Sequence, residues 1–211
     1  VRDNGENGLA YTGEAGGVAR GNRVAANAAH GVALFERAAP ELRNNTVTDN
    51  RQVGLFYARH SAGRAVGNSV AANSGHGVVV QDDAHPALEG NRIHDNRQSG
   101  VAYFGRAHGE ARRNTCRANA LHGISVAGAA APDLVANELR DNGTDGLYYG
   151  EGAGGNARDN ALSGNGEGGI VVAGDSRPTV SGNRCRDNGR FGLHVTESAA
   201  PRLRDNDCRR P

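Results

Sequence analysis

Six polar side chains in the middle of the chain have the types and the spacing that proton transfer requires. His60, Asp83 and Arg106 stand 23 residues apart, so a structural repeat of that length would place them about 4.8 Å apart in a β-sheet. A general base beside an acid and a cation could transfer a proton or bind a sugar acid. The alternative, which we favour, is a solvated ladder of opposite charges that adds little stability. The full cluster is His60, Asp82, Asp83, His85, Arg106 and His108.

Three further histidines lack the spacing of metal ligands. His30, His76 and His122 recur every 46 residues, which is two repeats and therefore about 9.6 Å in a stacked sheet. Two nitrogens bound to one Zn²⁺ lie no more than about 4 Å apart. We therefore interpret these histidines as turn residues, and we predict no metal site and no other cofactor.

The three cysteines also follow the repeat. Cys116, Cys185 and Cys208 are separated by 69 and 23 residues and form no C-x-x-C pair. They fall in a column that is otherwise Val, Ile or Leu, so we interpret them as buried thiols that pack as small apolar groups. A disulfide between Cys185 and Cys208 on adjacent coils is the alternative, and the redox compartment stays open.

The composition excludes several classes of protein. Only 37% of the 211 residues are apolar, with 32 Gly and no Trp or Met, which fits either disorder or a solenoid whose thin core is shared between repeats. The net charge is +1 and the 24 cations, all Arg, are spread along the chain. No basic block indicates nucleic acid, and no apolar run approaches the roughly 20 residues of a membrane span. Arg without Lys, beside much Ala and Gly, is associated with bacterial genomes rich in GC.

Three unbroken columns of identical residues indicate a solenoid rather than disorder. Gly recurs every 23 residues from Gly8 to Gly192, and Asn recurs with the same step from Asn4 to Asn188 and from Asn22 to Asn206. Asn tolerates the left-handed backbone region, and stacked in register its amide can bond the next Asn in a ladder. Gly at the other corner permits a positive φ. Apolar residues stand one and three positions after each Gly, which predicts a short strand with one face inward.

A second period, of 46 residues, is superimposed on the period of 23 residues. A coil with Tyr57, Gly63 and Ala65 follows a coil with Leu34, Pro40 and Leu42, and this exchange repeats along the chain. A large residue facing a small one alternates with two medium residues, which conserves core volume. The true unit is therefore two coils.

The coil pattern G-[LVI]-x-[VY]-x5-[PG]-x-[LA]-x2-N-x-[VIL]-x2-N resembles the repeat of right-handed parallel β-helices in the pectate-lyase-like superfamily. The resemblance covers the whole chain and implies an all-β solenoid, one domain over residues 1–211, with about nine 23-residue coils and three short strands per coil. The superfamily includes polysaccharide lyases, hydrolases, epimerases, carbohydrate-binding modules and repeats that bind proteins. In pectate lyases, Asp residues on one outer sheet face hold Ca²⁺ while an Arg or Lys removes the proton. The two outward columns that follow the corner Gly contain neither a carboxylate nor an Arg, which argues against an enzyme.

Those two columns instead carry an apolar stripe beside charged turns, the anatomy of a protein interface. We therefore predict a non-catalytic module, a protein-interaction domain or structural scaffold, with no catalytic residues. Its partner would be another protein domain or a second copy of the chain. The alternative is a carbohydrate-binding or polysaccharide-processing β-helix of lyase, epimerase or hydrolase type. The residues of the predicted apolar face are Phe35, Phe56, Val79, Phe104, Tyr148 and Val171.

Both ends of the sequence fall inside the repeat. The segment Arg2–Gly5 matches Arg186–Gly189, and Cys208–Pro211 stops within the pattern. Solenoids need capped ends to stay soluble, and no amphipathic cap is visible. We expect the chain to be a fragment of a longer protein, or its ends to stack on another copy.

Overall fold

A computed structural model describes residues 1–209 and winds them into a parallel β-helix of nine coils with three strands each. This confirms the predicted fold. Arg210 and Pro211, part of the predicted end of the repeat, lie outside the described residues. The first sheet contains β1 Leu9–Tyr11, β4 Val32–Leu34, β7 Leu55–Tyr57, β10 Val78–Val80, β13 Val101–Tyr103, β16 Ile124–Val126, β19 Leu147–Tyr149, β22 Gly168–Val172 and β25 Phe191–Val195.

The other two sheets complete each coil. The second sheet contains β2 Val18–Arg20, β5 Glu41–Arg43, β8 Arg64–Val66, β11 Ala87–Glu89, β14 Glu110–Arg112, β17 Asp133–Val135, β20 Asn156–Arg158, β23 Thr179–Ser181 and β26 Arg202–Arg204. The third sheet contains β3 Arg23–Ala25, β6 Thr46–Thr48, β9 Ser69–Ala71, β12 Arg92–His94, β15 Thr115–Arg117, β18 Glu138–Arg140, β21 Ala161–Ser163, β24 Arg184–Arg186 and β27 Asp207–Cys208. Residues 1–209 contain no helix, and so none that could span a membrane.

Each strand pairs in parallel with its equivalents one coil away, so residues 23 positions apart face each other, as Leu55 faces Val78. The inward residues of all three sheets meet in one continuous core. Because every coil has the same length, a side chain in an inner coil has a neighbour of the same column directly above and below it.

The corner glycines are needed for a reason that the sequence did not indicate. At Gly54 an added Cβ would lie 2.6 Å from the carbonyl oxygen of Gly77 and 2.8 Å from Nδ2 of Asn73. The positive φ that we predicted at this column is instead found at residues that precede the ladder asparagines, such as Asp49 with φ 58° and Gly67 with φ 64°. Close approach of neighbouring coils, rather than a left-handed backbone, excludes larger residues at the corner.

The predicted asparagine ladder is confirmed in both columns. In the middle of the stack, Asn114 donates from its backbone N–H and from Nδ2 to Oδ1 of Asn137, at 3.0 Å each. Its Nδ2 also donates to the carbonyl of Leu88 at 2.9 Å, and its Oδ1 accepts two bonds from Asn91. Asn114 is fully buried, so the ladder satisfies corner groups that water cannot reach.

The alternation of large and small residues fills the core. Tyr57, Tyr103 and Tyr149 are fully buried and belong to coils with Ala in the second sheet. Their phenol hydroxyls have no hydrogen-bond partner among residues 1–209, and burial raises the pKa of each tyrosine. The tyrosines therefore act as large apolar fillers that carry an unsatisfied polar atom.

Tyr103→Phe is expected to stabilise the protein, because it removes a buried hydroxyl without a partner, a group that typically costs about 1–3 kcal/mol. Thermal unfolding followed by circular dichroism should show a melting temperature higher by a few degrees, at about 2–4 °C per kcal/mol for a chain of this size. Tyr11→Phe, at a half-buried tyrosine of the first coil, is the control and should change little. A lower melting temperature for Tyr103→Phe would contradict this account.

A disulfide joins Cys185 to Cys208 and so links the last two coils. Our interpretation of these two residues as free thiols is therefore wrong, and the alternative pairing is the one observed. Adjacent members of one inward column are close enough to bond because β24 and β27 pair in register. Cys116 remains a buried free thiol, as the sequence indicated.

Candidate functional site

The predicted apolar face lies along the outer side of the first sheet. Its side chains pack against one another, so they are partly buried. The rings of Phe35 and Phe56 pack with centroids 5.8 Å apart, and Phe56 contacts a small outer cluster of Val53, Val79 and Ala102. Val79 is only 4% exposed, whereas Phe104 is 36% exposed. The two remaining members, Tyr148 and Val171, are half-buried.

The polar cluster that we considered for proton transfer lies on the turns between the first and second sheets. Nε and Nη2 of Arg106 each donate to Asp83 at 2.7 Å, which holds the pKa of that carboxyl below its usual range. His60 lies 4.0 Å from Asp83, and the side chains of His60 and Arg106 are 63% and 74% exposed.

The other members of that cluster are exposed or engaged with the main chain. The rings of His85 and His108 stack at 4.9 Å, and Asp82 accepts a bond from the backbone N–H of Arg59 at 2.9 Å. The structure thus brings the six residues together as a solvated ladder. His60 also lines an open depression of about 360 Å³, together with Gly13, Glu14, Glu36, Arg37 and Arg59.

A different column, the residues that directly precede the corner Gly, borders the first sheet. In this column Nδ1 of His30 accepts a bond from the backbone N–H of Val53 at 3.3 Å, and Nδ1 of His76 accepts one from Ser99 at 3.1 Å. Burial lowers the pKa of His30, and burial is also the main cause that lowers the pKa of His76 to about 4. Both rings are therefore neutral at physiological pH and carry their proton on Nε2.

His122 occupies the same column, but its Nδ1 faces two side chains rather than a backbone N–H. Its Nδ1 lies 3.1 Å from Oδ2 of Asp145 and 2.9 Å from Oγ1 of Thr144. A carboxylate oxygen can only accept a hydrogen bond, so the contact with Asp145 is favourable when the imidazole carries a proton on Nδ1. In that tautomer the lone pair of Nε2 is free.

Asp145 is held in place by the next coil. It is only 7% exposed, and its Oδ1 accepts the backbone N–H of Gly168 at 2.9 Å. A Cβ at position 168 would lie 2.9 Å from the same oxygen, so a larger residue would crowd this bond. The carboxylate therefore has one oxygen bonded to the main chain and the other 3.1 Å from Nδ1 of His122.

The surroundings of His122 form a shallow depression of about 390 Å³. The Tyr148 ring stacks on the imidazole with centroids 4.8 Å apart, and burial together with nearby carboxylates raises the pKa of this phenol. Arg190 lies 3.1 Å from Glu167 and 5.4 Å above the Phe191 ring. The depression is lined by His122, Thr144, Asp145, Glu167, Val171, Arg190, Phe191 and His194.

The site lies where the regular coil changes. Strands β22 and β25 have five residues, whereas the other strands of the first sheet have three, so the sheet widens beside Asp145. The 46-residue step would place a histidine at position 168, and Gly168 stands there instead. Asp145 replaces the Val53 and Ser99 of earlier equivalent coils. We interpreted His122 as a turn residue and did not predict the role of Asp145, although this break in the column was visible in the sequence.

The site contains an imidazole next to a buried carboxylate, a phenol and a guanidinium group, all beside an open surface. Such a set can remove a proton from a bound substrate and stabilise the charge that develops. Among residues 1–209 no group of three or more His, Cys, Asp or Glu side chains could hold a metal ion.

His76→Gln is expected to reduce the acid sensitivity of the fold. The pKa of His76 falls from 6.5 to about 4 on folding, so below about pH 6.5 the unfolded chain binds a proton that the folded chain does not. This group therefore lowers the free energy of unfolding as the pH falls from about 6.5 to about 4. Gln keeps an acceptor for the N–H of Ser99 but does not titrate.

Urea unfolding at about pH 7 and about pH 5 measures this effect. The loss of stability between the two pH values should be smaller in His76→Gln than in the unaltered chain, and His85→Gln, at an exposed histidine, should behave like the unaltered chain. An equal loss in all three proteins would contradict a buried neutral His76.

Comparisons with family models and with solved structures show which proteins this chain is similar to. A family model described as a right handed beta helix region matches residues 1–139 and 122–210, and no curated protein matches in sequence. A mutant of the periplasmic alginate epimerase AlgG has a similar structure, with TM-score 0.79 and 17% identity over 86% of this chain and 49% of AlgG. The A-module of the Azotobacter vinelandii mannuronan C-5 epimerase AlgE4 has TM-score 0.58 and 15% identity over 85% of this chain and 64% of the module. The match thus spans about half of AlgG.

Proposed function

Because the chain belongs to the family of right-handed β-helix regions, we propose that it binds a polysaccharide on its first sheet and removes a proton from it at His122. The observation that carries this proposal is the contact between His122 and Asp145. Two histidines of its column accept a backbone bond at Nδ1, whereas Nδ1 of His122 lies 3.1 Å from a carboxylate that is 7% exposed. In the proposed site Nδ1 carries the proton that faces this carboxylate, and the Nε2 lone pair of His122 acts as the base.

The proposed step is the removal of the proton on the carbon next to a sugar carboxylate. The C–H electron pair moves into the carboxylate, and the proton binds Nε2 of His122. Asp145 stabilises the resulting imidazolium, because its carboxylate already lies 3.1 Å from Nδ1. Arg190 supplies positive charge beside the depression. Return of a proton to the opposite face gives an epimer, whereas loss of the glycosidic oxygen at the neighbouring carbon gives an unsaturated end.

The shape of the site and the structural neighbours support a polymer as the substrate. The depression is open and lies on the outer side of a sheet that runs the length of the solenoid, so a long chain can enter and leave along the axis. AlgG and AlgE4, whose names describe alginate and mannuronan epimerases, have the same fold. Identities of 17% and 15% show a shared fold and no more. The proposal therefore covers both epimerisation and cleavage, and the experiment below distinguishes them.

Incubation of the protein with mannuronan tests this function. Proton exchange and inversion are followed by nuclear magnetic resonance in heavy water, and unsaturated ends by ultraviolet absorbance. We expect one of these signals from the unaltered chain and none from His122→Ala. His85→Ala, at an exposed histidine of the polar cluster, is the matched control and should keep the activity. No change in mannuronan with the unaltered chain, or full activity in His122→Ala, would refute the assignment.

A protein-binding surface is the second candidate, and the exposed ring of Phe104 beside the Phe35–Phe56 pair favours it. Phe56→Asp and Phe104→Asp would place a charge in the centre of this face. We expect both variants to remain folded by circular dichroism and to lose self-association in light scattering, if the face binds a second copy. Association that survives both changes would move the contact to another surface.

A further inference from the structure

Three ring pairs lie at equal intervals along the outer side of the first sheet. Each joins a histidine of the column before the corner Gly to an aromatic residue one coil further on. The centroid separations are 4.3 Å for His30 and Phe56, 5.9 Å for His76 and Phe104, and 4.8 Å for His122 and Tyr148. Since the histidines recur every two coils, the pairs repeat at about 9.6 Å along the axis.

Each of the first two pairs offers the same two kinds of contact. The aromatic ring supplies a flat apolar surface, and the histidine supplies a fixed N–H. Because Nδ1 of His30 and of His76 accepts a backbone bond, the proton lies on Nε2, which has no partner among residues 1–209. A sugar offers the complementary surface, since one face of its ring presents C–H groups while its edge presents oxygen acceptors.

The coils between the pairs offer smaller residues. The outward positions of the first sheet between Phe56 and Tyr148 are Val79, Ala102 and Ser125, none of them aromatic. Phe104 lies two positions after Ala102, just beyond its strand, so the middle pair is displaced sideways and meets edge to face at 65°. Between Phe56 and Tyr148, aromatic rings therefore alternate with smaller residues along the axis, with a period of two coils. Phe35, on the coil before Phe56, extends the first pair.

We propose that this face binds an extended β-1,4-linked polysaccharide parallel to the solenoid axis and reads it in units of two sugar residues. Such a chain turns over at each linkage, so every second residue presents the same face, and two residues span about the same distance as two coils. One residue of each unit sits on a ring pair, and the other sits over the smaller residues between the pairs.

The proposal rests on the proposed function, because the third ring pair, His122 with Tyr148, belongs to the proton-transfer site. The other two pairs continue that site towards the first coil and lie outside the depression. They act as binding positions for the part of the polymer that does not react. The 46-residue period of the sequence then matches the two-residue repeat of the polysaccharide, as well as the alternation of large and small residues in the core.

Binding of a disaccharide, a tetrasaccharide and a hexasaccharide of β-1,4-linked mannuronate, measured by calorimetry, tests the proposal. For the unaltered chain we expect affinity to rise with each added disaccharide. Phe104→Ala should weaken the tetrasaccharide and the hexasaccharide about tenfold, a typical effect of one aromatic contact, and leave the disaccharide unchanged. Phe56→Ala should weaken only the hexasaccharide. Asn156→Ala, at an exposed position of the second sheet, is the control and should bind all three normally.

The outcomes separate the two proposals. If the unaltered chain converts mannuronan but Phe56→Ala and Phe104→Ala bind every oligosaccharide as it does, the two-residue track is refuted and the proposed function stands. If the unaltered chain neither binds nor converts any of them, both are refuted. Equal binding of an α-1,4-linked glucose hexasaccharide would overturn the preference for a β-linked chain. Circular dichroism must show each variant folded, and Phe104, which is 36% exposed, is the substitution least able to disturb packing.

Discussion

Asp145→Asn is expected to lower the turnover of mannuronan by roughly 10²–10⁴-fold, the usual contribution of a positioned general base. Asp145 accepts a bond from the backbone N–H of Gly168, and its other oxygen lies 3.1 Å from Nδ1 of His122. In the proposed mechanism Nδ1 of His122 donates to that oxygen. An asparagine has one oxygen and one NH₂ group, so it can satisfy only one of these donors. If the oxygen stays on Gly168, the NH₂ group faces Nδ1, and the imidazole must move its proton to Nε2. His122 is then no longer a base.

The rate measurement should show where the effect arises. Asp145 is buried behind the imidazole, so kcat should fall while KM stays within a few-fold of that of the unaltered chain. Asp83→Asn, in the polar cluster, is the matched control and should retain full activity. A variant with Asn at position 145 that keeps its kcat would show that the tautomer of His122 has no part in the reaction.

Asn114→Ala is expected to cause the largest loss of stability. The substitution leaves the two donors of Asn91 without their acceptor and the carbonyl of Leu88 without its donor. At about 1–3 kcal/mol for each of these three buried groups, the free energy of unfolding should fall by roughly 3–9 kcal/mol. Asn206→Ala breaks equivalent bonds in the last coil, where Asn206 is half-buried and water can replace part of them, so its effect should be smaller.

Urea unfolding of the two variants gives the comparison, with Asn156→Ala as control. Asn156 is exposed and makes one side-chain bond, to Asp133, so its replacement should change stability little. If Asn114→Ala and Asn206→Ala unfold at the same urea concentration, the ladder does not stabilise the middle of the stack more than its end.

Most of the fold could be predicted from the sequence because each column repeats one structural requirement nine times. A repeated Gly or Asn shows which residue type a position requires, although it does not show the physical cause of that requirement. The corner Gly column shows this limit, since its cause is the contact with the next coil at Gly77 and Asn73 rather than the backbone angle that we predicted. The pairing of Cys185 with Cys208 likewise depends on a close approach that the column alone does not fix.

The candidate site was harder to predict because it departs from the repeat. His122 looks like His30 and His76 in sequence, and its different contacts come from Asp145 and Thr144 near the next corner. These contacts depend on side-chain directions, and the bond from Gly168 to Asp145 helps to set them. We found no carboxylate in the two outward columns of the first sheet, and the carboxylate is in the adjacent column.

The alternation of coils also bears on how accurately the solenoid can assemble. In a chain of near-identical repeats, a coil can loop out during folding and leave its two neighbours paired with each other. Here such an error would stack Tyr57 directly on Tyr103 and would bring together coils that both have Gly in place of Pro, which crowds one side of the core and empties the other. Looping out two coils restores the alternation but requires a longer loop and so more lost entropy.

This protection is missing where the alternation stops. The last two coils have Pro178 and Pro201 in the same column, so their core volumes no longer distinguish the correct neighbour from a wrong one. These are the two coils that the disulfide between Cys185 and Cys208 connects. A covalent bond therefore fixes the order of the coils at the place where side-chain volume cannot, and misthreaded chains that form under reducing conditions should concentrate at this end of the solenoid.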